Sequence, residues 1–245
     1  MQSKLNIVVP VYNEGDNFAS LRVALTSAIH TPFEALVIYD IDEDDTIPAV
    51  QQAIAEGETR FRLKKNTVGR GVVGAILTGF KLAGKGPVLV VMADLSDDLS
   101  QVDQMVDLHR QGYHVVAASR YMPGGQLLGG PFIKRNLSKW GGRTLRSLRG
   151  IPTSDATNAF KLYDGEMLNS LKIESSGGFE ISLEITVKAF LAGYRITELP
   201  TTWRDRTTGQ SRFRLWQWLP LYLKWYFYAF RPRSRKPPAT AEAAI

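Results

Sequence analysis

The chain has 245 residues, 44% of them hydrophobic and 22% charged, with no cysteine and a formal net charge of +6. This excludes disulfides, thiolate catalysis and cysteine zinc sites, and it argues against wholesale disorder or a fibrous repeat. It leaves length for one large α/β domain, or for a domain of ordinary size plus an appendage, with a sizeable core.

The opening segment, "LNIVVPVYNE", reads as a buried strand ending at a turn, and Asp16 to Ile29 continues at helical spacing through Phe18, Leu21, Leu25 and Ala28. Its apolar run is short and lacks a small-residue cleavage site, so no signal peptide is expected, and a cytoplasmic location follows by default. "ALVIYD" is a second strand running into acids, "PAVQQAIAE" a helix and "FRLKKN" a short third strand. A glycine loop then opens a helix over Val72 to Ala83. "GPVLVVMAD" is the most apolar strand and delivers Asp94, Asp97 and Asp98 at its carboxyl end; for Asp97 and Ser100 a helix N-cap role stays open. A helix through Val102, Met105, Val106 and His109 leads to the strand "HVVAAS".

Strands alternating with helices predict a largely parallel sheet with helices on both faces. In such sheets ligands sit outside the carboxyl ends of the strands. "YNE", Asp40, Asp94 and Ser119 to Tyr121 should therefore converge on one crevice. Acids beside basic residues there suit a polyphosphate bridged by magnesium or manganese.

Between Leu108 and Ser154 there is no Asp or Glu, whereas Arg110, Arg120, Lys134, Arg135, Lys139, Arg143, Arg146 and Arg149 all lie there. An anionic partner or a solvated basic face is expected. On a helix, Leu137, Gly141, Thr144, Leu145 and Leu148 share one face and Arg135, Lys139, Arg143 and Arg146 the other. Such a helix either lies at an anionic bilayer or packs its leucine face on the sheet. With few interleaved aromatics and no RNA or DNA module, no nucleic-acid partner is expected.

Near the C-terminus, Leu215 to Phe230 carries one charge, Lys224, but its 16 residues fall short of a span and Pro220 interrupts them. Three of the five tryptophans lie here, followed by Arg231, Arg233, Arg235 and Lys236. An interfacial anchor is expected, a helix completing the domain or a dimer interface being the alternative. The expected organisation is a catalytic domain over 1–212, an aromatic helix over 213–232 and a disordered tail over 233–245.

"GRGVVG" matches a dinucleotide-binding fingerprint, but it follows the third strand, whereas that fingerprint belongs in the first strand-to-helix turn. Gly69 and Gly71 permit unusual backbone angles, Gly74 and Gly79 suit a helix pressed on the sheet, and Arg70 can reach a phosphate.

Taken in order, these segments resemble the family 2 glycosyltransferases of the GT-A fold, and within them the polyprenyl-phosphate (dolichyl-phosphate mannosyltransferase-like) branch, over roughly residues 5 to 215. "IVVPVYNE" is similar to the opening strand, which implies that Pro10, Tyr12 and Glu14 meet the nucleotide base and ribose. Asp40 resembles the second acid of a base-contacting pair whose first is replaced by Tyr39. Asn66, Gly69, Arg70 and Gly71 are similar to the glycine-containing donor loop. "VVMADLSDD" resembles a "DADLS" metal motif without its first acid, which implies Asp94 as principal Mg2+ or Mn2+ ligand with Ser96 or Asp98 as helper. "SRYMPGG", "DATNAFKLY" and "WRDRTTGQSRF" resemble three further segments of that branch, the last through Arg206, Gly209, Ser211 and Arg212. The resemblance also places Ala93, Ser119 and Asn158 among the substrate contacts.

The reaction implied is single displacement, with inversion, at the anomeric carbon of a nucleotide-diphosphate sugar, and a polyprenyl phosphate acceptor at the inner face of a membrane. A processive Gln-x-x-Arg-Trp signature is absent, which implies transfer of one sugar. An acceptor that is already an anion needs cations and no general base, and Arg120, Lys134, Arg135, Arg206 and Arg212 are the expected cations. For a hydroxyl acceptor, Asp155 or Glu180 is the candidate base, with a cap or ion-pair role for Asp155 left open. An inactive binding protein on the same fold, suggested by Met92 and Tyr39, and homo-oligomerisation also remain open.

Overall fold

The computed structural model describes residues 4–129, 132–205 and 215–234, the side chains of 132–134, 215 and 216 excepted. In chain order the elements are β1 (Leu5–Pro10), α1 (Gly15–Ala28), β2 (Phe33–Tyr39), α2 (Thr46–Ala55), β3 (Phe61–Lys65), α3 (Val72–Ala83) and β4 (Val88–Val90). A 3-10 turn (Leu99–Gln101), α4 (Val102–Arg110), β5 (Val115–Ser119), β6 (Gln126–Leu128), α5 (Phe132–Arg149) and β7 (Lys161–Tyr163) follow. The chain closes with α6 (Gly165–Ser170), α7 (Glu180–Leu191), β8 (Ile196–Pro200), β9 (Thr202–Arg204) and α8 (Leu215–Tyr228).

Among the described residues the central sheet has seven strands in the order β3-β2-β1-β4-β7-β5-β8, and β6 and β9 form a small second sheet. β1 pairs in parallel with β2 and β4, β2 with β3 and β5 with β8, while β7 runs antiparallel to both β4 and β5. The period-two alternation of β1 divides the core. Leu5, Ile7 and Val9 face α1, α2 and α4 through Phe18, Leu21, Leu25, Val50, Met105 and Val106. Val8, with Leu36 and Ile38 of β2, faces the other layer, where Ile76, Phe80, Met167, Ile185 and Trp225 pack. Each such side chain contributes about 1.5–3 kcal/mol when withdrawn from water. On the second face α3 lies very close to β1, where a Cβ on Gly79 would come within 2.3 Å of the Val8 side chain.

Two local expectations are corrected. The apolar run after Gly86 supplies only three strand residues, because past Val90 the chain leaves the ladder to enter the crevice, keeping one last bond from the Val91 N–H to the Val8 carbonyl. α8 continues through Pro220, although a proline there forfeits one helical hydrogen bond. The helix survives because tertiary packing holds it: Trp225 and Ala229 are fully buried, and Lys188 of α7 sits 4.7 Å from the Trp225 ring centroid.

Candidate active site

A cleft of about 1360 Å³ opens at the carboxyl ends of the parallel strands. Pro10, Tyr12 and Glu14 line it after β1, Asp40 after β2, Arg70 and Gly71 before α3, Asp94 and Ser96 after β4, and Arg120 after β5. Arg135 from α5 and Asn158, just before β7, complete the expected set within it. Ala93 and Ser119 do not join the lining: both side chains are buried behind it. The side chain of Lys134, and Arg206, Ser211 and Arg212 altogether, lie outside the described residues.

The acids after β2 divide by role. Asp44 accepts from the backbone N–H of Asn13 (3.1 Å) and Thr46 (2.9 Å), Asp45 from that of Gly15 (2.8 Å), and the Thr46 hydroxyl from that of Glu14 (3.0 Å). They therefore shape the first loop, where Asn13 sits in the left-handed region at φ 53. Asp40 instead pins the glycine loop, accepting from the Gly71 N–H (2.7 Å) and the Asn66 amide (2.7 Å). Asn66 also donates to the Gly69 carbonyl (2.6 Å) and accepts from the Val68 N–H (3.0 Å) and the Thr78 hydroxyl (2.8 Å). The loop folds so tightly on α3 that a Cβ on Gly74 would lie 1.6 Å from the Gly69 carbonyl oxygen. Gly74→Ala is therefore expected to leave the core intact but expel the loop, weakening affinity for the nucleotide sugar that the resemblance implies roughly tenfold or more. Calorimetric titration beside a melting curve checks this, and unchanged affinity would refute it.

Beyond β4, the Ser96 hydroxyl (2.6 Å) and N–H (3.2 Å) both donate to Asp94 Oδ1. Leu95 between them is left-handed at φ 59, a conformation that costs a non-glycine residue of order 1 kcal/mol. The turn is stitched to β9 by the Arg204 N–H donating to the Ser96 carbonyl (3.0 Å) and by a bridge between Asp97 and Trp203.

Asp98, expected beside Asp94, is not in the cleft. Two residues ahead of Ser100 it caps the 3-10 turn, accepting from the Ser100 N–H (3.1 Å) and hydroxyl (2.7 Å). Asp97 takes the inward position and lines the cleft. Burial, and then the neighbouring Asp94, push its pKa up to about 7. Among the described residues no group of three or more His, Cys, Asp or Glu gathers as a self-sufficient metal cage. The hard oxygens of Asp94 and Ser96 still fit a Mg2+ or Mn2+ ion that draws its remaining ligands from water and substrate phosphates.

Across the cleft, Arg120 meets Asp155 in a two-pronged ion pair, Nε to Oδ2 at 2.7 Å and Nη2 to Oδ1 at 2.9 Å. The Arg120 N–H adds a third bond to Oδ2 at 3.0 Å. Burial alone would raise the Asp155 pKa, but Arg120 holds it below the ordinary carboxylate value. Asp155 thus takes the ion-pair role and is walled off behind Arg120. Glu180, the other candidate base, is buried and holds the Gly177 (2.7 Å) and Gly178 (2.6 Å) N–H groups.

The segment carrying Asp155 and Asn158 is fastened from beneath. Fully buried Lys161 donates to the carbonyls of Ala156 (3.0 Å) and Asn158 and to the Ser182 hydroxyl (2.7 Å), and burial pushes its pKa down to about 7. Glu198 accepts from Ser154 and pairs with Arg146. Ser138 and Thr157, which sequence reasoning passed over, line the cleft, hydroxyl to hydroxyl at 2.6 Å, and Arg120 Nη2 reaches Ser138 at 3.3 Å. The available signal was helical spacing: Ser138 lies three residues beyond Arg135 on α5.

The far half of the cleft is apolar, walled by Leu137, Trp140, Gly141, Thr144 and Leu145 of α5 and by Trp218, Leu219, Tyr222, Leu223, Tyr226 and Phe227 of α8. The α5 leucine face is divided between the core, the cleft and solvent. Leu145 is buried against the core, Leu137 borders the cleft and Leu148 is exposed. On the basic face, Arg146 is spent on Glu198 and Arg149 donates to the Ala229 (2.7 Å) and Arg231 (2.8 Å) carbonyls at the end of α8. Among the described residues no helix is long and apolar enough to cross a membrane.

Residues 6–171 match the model of the family described as glycosyl transferase family 2. Among curated relatives, the dolichol-phosphate mannosyltransferase of Pyrococcus furiosus is 27% identical over 218 residues, 86% of this chain and 59% of that protein. The polyprenol monophosphomannose synthase of Mycolicibacterium smegmatis is 28% identical over 84% of this chain and 79% of its own. The chain thus spans only 59% of the length of the first. Among solved structures, glucosyl-3-phosphoglycerate synthase of Mycobacterium tuberculosis with Mn2+, UDP and glucosyl-3-phosphoglycerate superposes with a TM-score of 0.65 at 16% identity, covering 97% of this chain and 82% of that one. The same enzyme with Mg2+ and UDP gives 0.63 at 18% identity, covering 97% and 81%. Both are likenesses of fold.

Proposed function

The chain belongs to glycosyl transferase family 2, and from that premise we propose that it is an inverting, metal-dependent transferase. It moves one sugar from a nucleotide-diphosphate sugar to a polyprenyl phosphate at the cytoplasmic face of a membrane. The observation that carries this reading is the composition of the cleft, in which a polar half at Asp40, Arg70 and Asp94 runs past Arg120 into an apolar trough between α5 and α8. A nucleotide sugar suits the first half, a phosphate the middle and an isoprenoid chain the last. The names of the two curated relatives point the same way.

In the transfer, a phosphate oxygen of the acceptor attacks the anomeric carbon as the bond to the donor diphosphate breaks on the opposite face, and the nucleoside diphosphate departs with the electron pair. Asp94 and Ser96 would hold a Mg2+ or Mn2+ ion, which when bound offsets the charge developing on that diphosphate. Arg70, exposed at the rim, reaches the donor phosphates. Arg120, locked by Asp155, presents a fixed cation to the acceptor phosphate, with Arg135 and Ser138 beside it. The engagement of Asp155 and Glu180 in other bonds favours an acceptor that needs no base over a hydroxyl. Trp140 and Phe227, which wall the trough, are exposed, as are Leu148 further along α5 and Phe230 just past α8, and these suit a lipid surface that delivers the acceptor.

The test is nucleoside diphosphate release from a panel of nucleotide sugars, with Mn2+ or Mg2+, in vesicles with and without polyprenyl phosphate. Release is expected only where lipid phosphate and cation are both present. Equal release to a soluble hydroxyl without lipid would overturn the acceptor, and nucleotide binding without turnover on any acceptor would point to the binding protein suggested by Met92. In the same assay Arg70→Ala is expected to raise the donor Kd about 5- to 30-fold, the loss of one charge-assisted contact, and an unchanged Kd would return the loop to a structural role.

A further inference from the structure

The acid that the metal motif lacks at Met92 has a geometric replacement. The backbone N–H of Met92 lies close enough to the Asp97 carboxylate to favour its charged form, so that carboxylate stands near the backbone of the position where the first acid would be. Its Oδ2 is sealed from solvent and accepts no hydrogen bond, and the residue lines the cleft with Asp94 and Ser96. A buried carboxylate oxygen without a donor is costly, and a second carboxylate nearby makes it more so. Other acids around this turn are engaged in the fold: Asp98 caps the 3-10 turn, and Asp103 accepts from the His30 and Thr31 N–H groups. The bridge to Trp203 fixes the backbone of Asp97.

We propose that Asp97 is a ligand of the cation held by Asp94, its Oδ2 supplying the carboxylate that Met92 does not. This rests on the metal-dependent reading above and deepens it. The cation has the same hard-oxygen set as a two-acid motif, reached from three residues beyond Asp94 rather than from two before it. The orphaned Oδ2 thereby acquires a partner, and a buried pair of like charges is neutralised.

The test measures Mn2+ binding to the full chain by loss of the free-Mn2+ electron paramagnetic resonance signal, in the presence of UDP or GDP, whichever raises the melting temperature more. Asp94→Asn and Asp97→Asn should each weaken Mn2+ binding on the order of tenfold or more, while Asp98→Asn should match the wild type. Restoring the acid in the double variant Met92→Asp/Asp97→Asn should recover most of the affinity. Asparagine at 97 keeps the shape of the side chain and removes a charge whose Oδ2 is buried without a donor, so the metal-free Asp97→Asn protein should melt no lower than the wild type. Retention of wild-type Mn2+ affinity by Asp97→Asn, beside a loss in Asp94→Asn, would overturn this inference and leave the metal-dependent reading standing. Retention in both variants would remove the cation from the site altogether. A fall in metal-free melting temperature of more than about 5 °C in Asp97→Asn would assign its carboxylate to the fold and also overturn the inference.

Discussion

Asp94→Asn is expected to lower turnover roughly 10²- to 10³-fold while leaving the melting temperature nearly unchanged. The substitution is isosteric, and the asparagine oxygen can still accept from the Ser96 hydroxyl and N–H that now converge on Oδ1. The turn at Leu95 therefore keeps these two bonds, and the negative charge at the centre of the polar half is lost. Since that charge would position the cation against the departing diphosphate, the loss should fall on kcat and on the Mn2+ concentration needed for half-maximal rate. Donor affinity measured without cation should change little. Nucleoside diphosphate release across a Mn2+ titration checks this, and an Asp94→Asn protein with wild-type rates at low Mn2+ would remove Asp94 from the chemistry.

Asp155→Ala is expected to be the most destabilising single change at the site, by about 3–5 kcal/mol, because it strands the Arg120 guanidinium without its buried partner. For a chain of this size that corresponds to a fall in melting temperature of roughly 6–20 °C. The pair itself contributes far less than its rupture costs, so the double variant Arg120→Met/Asp155→Leu should recover most of the stability. On the proposed function it should not recover transfer to lipid phosphate, because the cation assigned to the acceptor is gone. Equal stability losses in Asp155→Ala and the double variant would show that the segment, and not the charge, had been damaged.

The pH dependence has a definite sign. Asp155 has a folded-state pKa below its ordinary value, so its contribution is fully present above about pH 4 and is lost as pH falls through the lowered value. The stability gap between wild type and Asp155→Ala should therefore stay constant near neutrality and narrow only in acid, as chemical denaturation at a series of pH values would reveal.

Much of the fold was legible because its parallel half is written in local patterns. The helix expected over Val72 to Ala83 is α3 itself, and the strand ends named in advance do reach one cleft, since apolar runs bounded by turn residues specify strands whatever their neighbours. β7 was not legible. Three residues, Lys161–Tyr163, carry no periodicity, and their place between β4 and β5 is chosen by partners more than 40 positions away in sequence. The exchange of Asp97 for Asp98 has the same origin. Both follow one strand by a few residues, and which of them caps the next turn depends on a backbone path that β9 anchors at Trp203 and Arg204.

By itself the sequence determined the order of the parallel strands' contents, the identity of the glycine loop as something other than a dinucleotide fingerprint, and the family. Each depends on residues close together in the chain, or on the order of motifs along it. Only the tertiary structure decided that Asp155 is a clamp on Arg120, that Glu180 holds Gly177 and Gly178, and that α5 and α8 enclose an apolar trough. A carboxylate is a base, a cap or half of an ion pair according to which donors lie within about 3 Å of it. Such donors come from segments that only folding brings together.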